Sequence, residues 1–386
     1  MFLTMQPDQP PPPGSMLAGW KRRWIGWRNG VIGNSRFQRW AAANPLTRTI
    51  AQRRAGGLFD LVAGFTYSQT LSAAVESGVI ELLAAGPVSL ADAGKRCGLS
   101  EEAAALLLRA SAAIDLAQEV EPGVWMLGQQ GAALRGNAGV LAMIRHHRLL
   151  YADLADPLAL LRRERSSPTA LSDFWTYAGE PDPAARDDCN TRAYSELMAS
   201  SQAMVVEQVL AAYRFDRHRS LLDVGGGYGV FATAVAAAYP ALNTGIFDLP
   251  DVLRHHAGES TPVSRQAPTL HPGDFFRDPI PTGYDCISLV RILHDHDDAP
   301  AADLLSAIHE SLEHGATLLI AEPMAGTRGA RKMGDAYFGL YLWAMRSGRP
   351  RRADEIGAML NRAGFRDWRR VATDLPVITS LIVATA

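Results

Sequence analysis

A glycine-rich turn between an apolar run and an alanine-rich run most constrains how this chain can fold. Residues 220–224 suit a buried strand, residues 230–239 have helical composition, and the glycine turn at 225–229 lies between them. Glycine allows positive φ and lets a ligand approach the backbone, and the following helix offers free N–H groups. Asp248 ends the next apolar run about twenty residues later, where an acid can bind both hydroxyls of a ribose. The pattern predicts a nucleotide-binding βαβ unit.

The glycine turn departs from the dinucleotide fingerprint, because Val230 stands where GxGxxG requires glycine and only GxGxG remains. Strand and helix patterns alternate through the second half of the chain, which predicts a mostly parallel sheet with helices on both faces. The candidate strands are 220–224, 243–248, 284–290 and 316–322. Two final strands, 368–372 and 378–385, are separated by a connection too short for a crossover helix. The last strand is therefore predicted to be antiparallel.

Length and composition suit a globular protein of two domains. With 386 residues, 47% of them hydrophobic, the chain can bury a large core. Its three cysteines lack metal or disulfide spacing, which suits a reducing cytoplasm. We expect a cytoplasmic protein, soluble or peripheral to a membrane, because no uncharged apolar stretch reaches transmembrane length and no secretory segment is recognisable.

Residues 1–57 are predicted to form a disordered, proline-rich lead-in and a basic arm. Residues 20–54 carry nine Lys and Arg and no acid, although the whole chain has a net charge of −2. Trp20, Trp24 and Trp27 would share one face of a helix. Two interpretations stay open: a helix docked against the body or a second subunit, and an arm lying on an anionic membrane.

Residues 58–205 are predicted to be mainly helical. A short helix and turn, a second helix at 101–114 and a hairpin turning at Pro122-Gly123 make a winged-helix pattern. A DNA-recognition helix needs basic or amide side chains, but the second helix begins with two glutamates and offers a single arginine. We expect a structural, dimer-forming module and no nucleic-acid partner.

Residues 206–386 would form the ligand-binding domain, because ligands of open α/β sheets bind at the carboxyl ends of the strands. The polar or aromatic residues at those ends are Asp223, Asp248, Asp274, Phe275, Arg291, His294 and Glu322. A histidine oriented by a carboxylate is a general base poised near neutral pH, which makes His294 and Glu322 a candidate pair. The acidic run 294–298 could hold a metal, but its last two acids suit the cap of the following helix, so no metal is expected.

Two further segments are candidates for a substrate pocket. Tyr194 and Met198 are spaced i, i+4 in a predicted helix, and the aromatic run 337–345, which includes Tyr341 and Met345, could line an apolar pocket. Ordinary core packing explains the aromatic run equally well, and it is the more common explanation of a pair such as Tyr194 and Met198.

Five motifs, in this order and spacing, resemble the class I O-methyltransferases that use S-adenosylmethionine, of the plant caffeic-acid type and its bacterial relatives. The motifs are LLDVGGGYG, FDLP, GDFF, RILHDHDD and LLIAEP. The resemblance covers residues 58–386 and implies a Rossmann-like sheet, a winged-helix dimerisation domain and a homodimer. The arm, running into RFQRWAAANPLTR, and the segment LFDLVAGFTYSQ resemble one branch in particular. That branch methylates the tertiary hydroxyl of 1-hydroxy acyclic carotenoids such as demethylspheroidene and hydroxyneurosporene.

The resemblance also implies a role for each matching residue. The cofactor would be held by Asp223, Gly225, Gly227, Asp248, Leu249, Asp274, Phe275 and Arg291, the last standing where many relatives have lysine. His294 matches the catalytic base and Glu322 one of two acids that orient it. The substrate would be lined by Tyr194, Met198, Asp295, Tyr341 and Met345. Ala353 stands where the family has its second acid, so either Asp354 or Glu355 replaces it or the base has one acid.

The predicted reaction is methyl transfer to a carotenoid hydroxyl. Such a hydroxyl is far less acidic than a phenol, so we expect proton removal to be concerted with transfer. Two alternatives stay open. The acceptor could be a phenol or a polyketide, or the chain could be a ligand-sensing winged-helix regulator, which the acidic second helix disfavours.

Overall fold

The computed structural model describes residues 15–163, 168–174, 188–256 and 267–386, without the side chains of 15–18, 188–196 and 255–256. The chain divides into two compact units, Met1–Ala73 and Ala74–Ala386. Every helix within the described ranges is too short or too polar to cross a membrane.

The first unit is helical. It contains α1 (Ser15–Gly33), α2 (Ser35–Ala43) and most of α3 (Arg48–Glu76). Asn34 separates the first two helices, since its side chain accepts hydrogen bonds from the backbone N–H groups of Arg36 and Phe37 and so caps α2.

The second unit begins with helices and a small antiparallel sheet in the order β1-β3-β2. Its elements up to the large sheet are α4 (Val79–Ala84), β1 (Val88–Ser89), α5 (Leu90–Cys97), α6 (Glu101–Ala113), β2 (Ala117–Glu121), β3 (Val124–Leu127), α7 (Gln129–Leu134), α8 (Ala138–Asp153), α9 (Pro157–Arg162), α10 (Ala170–Phe174) and α11 (Asp188–Ala212). Ser100 caps α6 by accepting from the backbone N–H of Ala103. The mainly helical N-terminal region is confirmed, and its winged-helix identity stays a prediction.

A seven-stranded sheet forms the rest of the second unit, in the order β6-β5-β4-β7-β8-β10-β9. Its elements are β4 (Ser220–Val224), α12 (Val230–Ala238), β5 (Asn243–Asp248), α13 (Pro250–His256), β6 (Thr269–Pro272), β7 (Cys286–Val290), α14 (Asp298–Ser311), β8 (Thr317–Glu322), α15 (Phe338–Met345), α16 (Ala353–Ala363), β9 (Asp367–Val371) and β10 (Ser380–Thr385). Strands β4 to β8 pair in parallel, whereas β10 is antiparallel to both neighbours. The predicted Rossmann-like sheet and its antiparallel last strand are confirmed.

Hydrophobic cores cover both faces of this sheet. Successive side chains of a strand point to opposite faces, so the fully buried Leu221 and Leu222 enter different cores. Leu222 packs with side chains of α14 and α16, and Leu221 with side chains of α11 and α12. The sheet is thereby held rigidly, and the carboxyl ends of β4, β5, β7 and β8 meet at one edge.

Candidate active site

The glycine turn between β4 and α12 is closely packed at its first two glycines. Gly225 and Gly227 have φ of +70° and +57°, in the left-handed region. A Cβ on Gly225 would lie 2.5 Å from Cδ1 of Ile292, and one on Gly226 would lie 2.8 Å from Oδ2 of Asp223. The turn therefore presents bare backbone at the sheet edge.

A cavity opens beside this turn, and it gathers most of the predicted binding residues. Those that line it are Met198, Gly225, Gly227, Asp248, Leu249, Asp274, Phe275, Arg291 and Asp295. Sequence reasoning did not single out Phe276 and His296, which also line it. Both belong to recognised motifs, GDFF and RILHDHDD, so motif membership was the signal that could have found them.

Asp248 is held at the cavity by the backbone. Its Oδ2 accepts from the N–H of Gly227 at 2.7 Å and its Oδ1 from the N–H of Leu249 at 2.7 Å. Burial raises the pKa of Asp248 to about 6, with the charge of Asp274 adding to the rise and the two backbone hydrogen bonds opposing it. Each carboxylate oxygen keeps a lone pair, so the group can still accept from the two hydroxyls of a ribose.

Asp223 lies beneath the turn and is not among the lining residues. Its Oδ1 accepts from the hydroxyl of Ser288 at 2.6 Å. Its Oδ2 is buried without a hydrogen-bond partner among the described residues, and burial raises the pKa of Asp223 to about 7. A buried carboxylate oxygen without a partner is costly, and burial favours the protonated form of this group.

Asp274 and Phe275 form the far wall. Oδ1 of Asp274 accepts from the backbone N–H of Phe276 at 3.0 Å. The ring of Phe275 packs edge-on against Phe276 at 4.7 Å and His296 at 5.8 Å between centroids. Burial lowers the pKa of His296 to about 4. The wall is thus aromatic and uncharged on one side, with a carboxylate at its rim.

Arg291 follows β7 with φ of +61°, an uncommon backbone conformation for a non-glycine residue. Its guanidinium donates to the hydroxyl of Ser201 at 2.7 Å and contacts Sδ of Met198 at 3.1 Å. Both partners lie on α11, so Arg291 ties that helix to the end of β7. Strained residues that the surrounding structure holds in place cluster at functional sites.

His294 is a buried imidazole held between two carboxylates. It lies in a 3-10 turn directly after β7, and its Nδ1 contacts Oε2 of Glu322, the last residue of β8. The other carboxylate oxygen of Glu322 accepts from the backbone N–H groups of Ile292 at 3.0 Å and Leu293 at 2.8 Å. Nε2 of His294 lies 3.1 Å from Oδ1 of Asp295. The ring orientation is therefore fixed from both sides.

The two carboxylates also decide the charge of the imidazole. Burial alone would lower the pKa of His294, but the charges of Asp295 and Glu322 and the hydrogen bond to Glu322 outweigh it, and the pKa is raised above its usual value. Burial raises the pKa of Asp295 to about 6. This arrangement makes His294 a stronger proton acceptor than an exposed histidine.

Neither of the two acids after Ala353 contacts His294. Ala353 begins α16 and packs against the apolar core. Asp354 accepts from Arg352 at 3.0 Å, and Glu355 accepts from Arg349 at 2.8 Å. The second carboxylate at the imidazole is that of Asp295, a neighbour in sequence.

The remaining predicted substrate residues lie elsewhere. Tyr341 and Met345 of α15 are buried in an apolar cluster with side chains of α8 and α10, and they do not line the cavity. Phe338, on the same helix, packs edge-on against His294 at 5.6 Å between centroids. The side chain of Tyr194 lies outside the described residues.

Comparison with known proteins assigns the chain to a family. Residues 151–366 match the sequence profile of the O-methyltransferase domain, more than half of the chain. The chain belongs to the O-methyltransferase family. It is 40% identical to demethylspheroidene O-methyltransferase of Rhodobacter capsulatus over 343 residues, 88% of this chain and 84% of that protein. It is 39% identical to the protein of the same name from Cereibacter sphaeroides, over 92% of this chain and 93% of that one.

Solved structures agree on the fold of this O-methyltransferase. Human N-acetylserotonin methyltransferase in complex with S-adenosylmethionine superposes with a TM-score of 0.73 at 24% identity, covering 86% of this chain and 97% of that one. CalO1, a methyltransferase of calicheamicin biosynthesis with bound S-adenosylhomocysteine, gives 0.72 at 25% identity, covering 86% and 98%. The chain is an S-adenosylmethionine-dependent O-methyltransferase, as its motifs predict.

Proposed function

We propose that this O-methyltransferase methylates the tertiary hydroxyl of a 1-hydroxy acyclic carotenoid. The observation that carries the proposal is the 40% identity, over 88% of the chain, to a protein named for demethylspheroidene. The second relative of that name supports it over 92% of the chain. Acetylserotonin O-methyltransferase of Rattus norvegicus and the O-methyltransferase SfmM3 of Streptomyces lavendulae are 29% and 27% identical to the chain.

The residues around the glycine turn fit S-adenosylmethionine, which supplies a methyl group on a positively charged sulfur. The turn leaves no room for a Cβ at Gly225 or Gly226, and Asp223 offers an unpaired buried oxygen beneath it. We assign the ribose hydroxyls to Asp248, whose two oxygens each keep a lone pair. A wall rich in carboxylates suits a ligand that carries positive charge.

We assign the adenine to the far wall of the cavity. The carboxylate of Asp274 can accept from the exocyclic amino group, and the ring of Phe275 offers a flat surface for the purine. Leu249 and Arg291, which also line the cavity, would complete the adenosine site. Gly225 and Gly227 would then carry the methionine end.

His294 acts as the general base in this proposal. With Nδ1 turned to Glu322, the lone pair of the neutral ring lies on Nε2. Oδ1 of the cavity residue Asp295 lies 3.1 Å from Nε2, so the substrate hydroxyl would take the place of this contact. With S-adenosylmethionine bound, Nε2 would take the hydroxyl proton as the C–O bond forms and the S–CH3 bond breaks, which would leave S-adenosylhomocysteine. Both carboxylates would stabilise the imidazolium. A positioned base contributes roughly 10²–10⁴-fold in rate, and positioning of the hydroxyl can contribute up to about 7–11 kcal/mol.

Transfer of labelled methyl from S-adenosylmethionine tests the substrate. The acceptors are a 1-hydroxy acyclic carotenoid in detergent and, in parallel, a panel of small phenols. We expect label in the carotenoid only. Label confined to phenols would leave the enzyme class intact and reject the carotenoid, and it would favour the phenol or polyketide alternative.

Cofactor placement has a separate test at the glycine turn. A Cβ on Gly227 meets no protein atom within 4 Å, so Gly227→Ala should occupy ligand space alone. We expect the dissociation constant for S-adenosylmethionine to rise roughly 5- to 150-fold, the range that a clash of order 1–3 kcal/mol produces. Gly283→Ala is the matched control, because Gly283 also has positive φ and open space but lies outside the cavity. Equal affinities in both variants would contradict the placement.

A further inference from the structure

Three tryptophans of α1 form one exposed stripe. Trp20, Trp24 and Trp27 are 67%, 45% and 66% exposed, and their spacing puts them on one face of the helix. Tryptophans are usually mostly buried in globular proteins, so this stripe is a surface without a cover among the described residues.

The next helix extends the aromatic surface. Phe37 and Trp40 of α2 are 36% and 54% exposed, and their rings pack at 5.7 Å between centroids. We refer to residues 20–54, which contain these five aromatic side chains, as the basic aromatic arm. Outward-facing aromatic rings on two successive helices amount to an interaction surface rather than to scattered exposure.

Positively charged side chains occur along the whole basic aromatic arm. Its cations are Lys21, Arg22, Arg23, Arg28, Arg36, Arg39, Arg48, Arg53 and Arg54, and it has no acid. The guanidinium of Arg28 lies 5.2 Å from the ring centre of Trp24. The arm therefore combines rings that suit an interface between apolar and polar surroundings with nine cationic side chains and no acidic one.

We propose that the basic aromatic arm binds the surface of an anionic lipid bilayer. Tryptophan is enriched where membrane meets water, since its ring is apolar while its N–H can reach polar groups. Clustered Lys and Arg are attracted to anionic headgroups. A helix that presents both lies in the plane of the interface without crossing the membrane. No described helix of this chain could cross one.

A second copy of the chain explains the arm less well. If the arm met the arm of a second copy across a two-fold axis, the nine cations would face another nine. The apolar stretch of α3 is a better candidate for such a contact. There Leu58, Leu61 and Phe65 are 65%, 76% and 71% exposed, and Asp60 is the single charged residue from 55 to 75.

Flotation of the full chain with vesicles tests the proposal without reference to the carotenoid assay. We expect binding to vesicles of phosphatidylcholine mixed with phosphatidylglycerol, little binding to phosphatidylcholine alone, and weakening as salt increases. Lys21→Gln/Arg22→Gln/Arg23→Gln should weaken binding about 100-fold at low salt, at roughly fivefold per cation. Trp20→Ala/Trp24→Ala/Trp27→Ala should weaken it at least about tenfold.

Arg366→Gln/Arg369→Gln/Arg370→Gln is the matched control, because it removes three exposed cations of the second unit. It should bind vesicles as the intact chain does. Equal losses in the control and the arm variants, or equal binding to neutral and anionic vesicles, would overturn the proposal. So would arm variants that bind vesicles normally but change from dimer to monomer, an outcome that assigns the arm to a second copy. Circular dichroism shows whether each variant remains folded.

Discussion

Two groups of buried or partly buried histidines in the second unit have opposite chemistry. His294 lies between the carboxylates of Glu322 and Asp295, and its pKa is raised. His146 and His147 of α8 are paired instead with tyrosine hydroxyls of the segment that leads into and forms α15. Burial lowers the pKa of His146 to about 4 and also lowers that of His147. Burial disfavours the charged form of each of these histidines. Whether the pKa is raised or lowered therefore depends on the side chain that each ring contacts.

This difference in pKa distinguishes His294, which can accept a proton, from His146 and His147, which link parts of the structure. Nε2 of His146 lies 2.8 Å from the hydroxyl of Tyr341, and Nε2 of His147 lies 2.7 Å from that of Tyr337. Neutral rings in these pairs join α8 to α15 across the second unit. Because Phe338 begins α15 and packs on His294, the two pairs also hold one wall of the proposed base.

Replacing the base should have the largest effect. His294→Ala removes the proton acceptor, and we expect the single-turnover methyl-transfer rate to fall roughly 10²–10⁴-fold. Affinity for S-adenosylmethionine, measured by calorimetry, should be nearly unchanged because His294 does not line the cavity. His146→Phe, which removes the other kind of buried histidine, serves as the control and should keep most of the rate. An unchanged rate in His294→Ala would reject the base and, with it, the contrast between the two groups.

Neutralising Glu322 should come next. In Glu322→Gln the amide keeps the volume, but it removes one charge that raises the pKa of His294. It can also donate to Nδ1, which leaves the proton on the wrong nitrogen. We expect the rate to fall roughly 10–100-fold, as for other groups that orient a functional imidazole. If rate and pH profile both match the native enzyme, the carboxylate does not orient the ring.

Asp295 should act mainly on the pH profile. The base works when neutral, so activity rises as pH increases through the pKa of His294. Asp295→Asn removes a charge that raises that pKa, and the acid limb of the pH–rate profile should therefore move to lower pH. Asp354→Asn is the control, because Asp354 pairs with Arg352 instead, and its profile should stay in place. A shift in Asp354→Asn alone would mean that the acid beside Ala353 serves the base after all.

Much of the fold could be predicted from the sequence. The pairing of His294 with Glu322 could be predicted as well, but the tyrosine partners of His146 and His147 could not. The carboxyl ends of neighbouring parallel strands lie side by side, so the strands ending near His294 and Glu322 could be expected to bring these residues together. The contact of Asp295 with Nε2 could not be predicted, since it depends on a 3-10 turn that starts after Arg291 at φ of +61°. No local sequence pattern predicts a positive φ at an arginine.

The pairing of His146 and His147 with tyrosines could not be predicted from the sequence. His146 and Tyr341 are 195 residues apart, and His147 and Tyr337 are 190 apart. Periodicity predicts which face of a helix is apolar but not which distant helix covers it. The aromatic run 337–345 could therefore be interpreted equally as pocket or as core, and Tyr341 and Met345 lie in the apolar cluster of α15 with α8 and α10.

The smallest effect on turnover, and a distinct effect on stability, is expected at His146. Its pKa is about 4 when folded and about 6.5 when unfolded. Between these values the unfolded chain binds more protons, so stability should fall as pH falls from about 6.5 to about 4, by up to about 3 kcal/mol. Urea unfolding above and within this window measures the loss.

His146→Phe should remove the part of this pH dependence that His146 contributes, whereas His147 and His296, whose pKa values are also lowered, keep theirs. It should also cost about 1–3 kcal/mol above the window, since the buried hydroxyl of Tyr341 loses its partner. His146→Phe/Tyr341→Phe removes both polar groups and should recover most of that cost. A native slope in His146→Phe would place the acid sensitivity at another group. Recovery in the double variant, with the methyl-transfer rate preserved, would show that the pair of His146 and Tyr341 stabilises the unit and takes no part in methyl transfer.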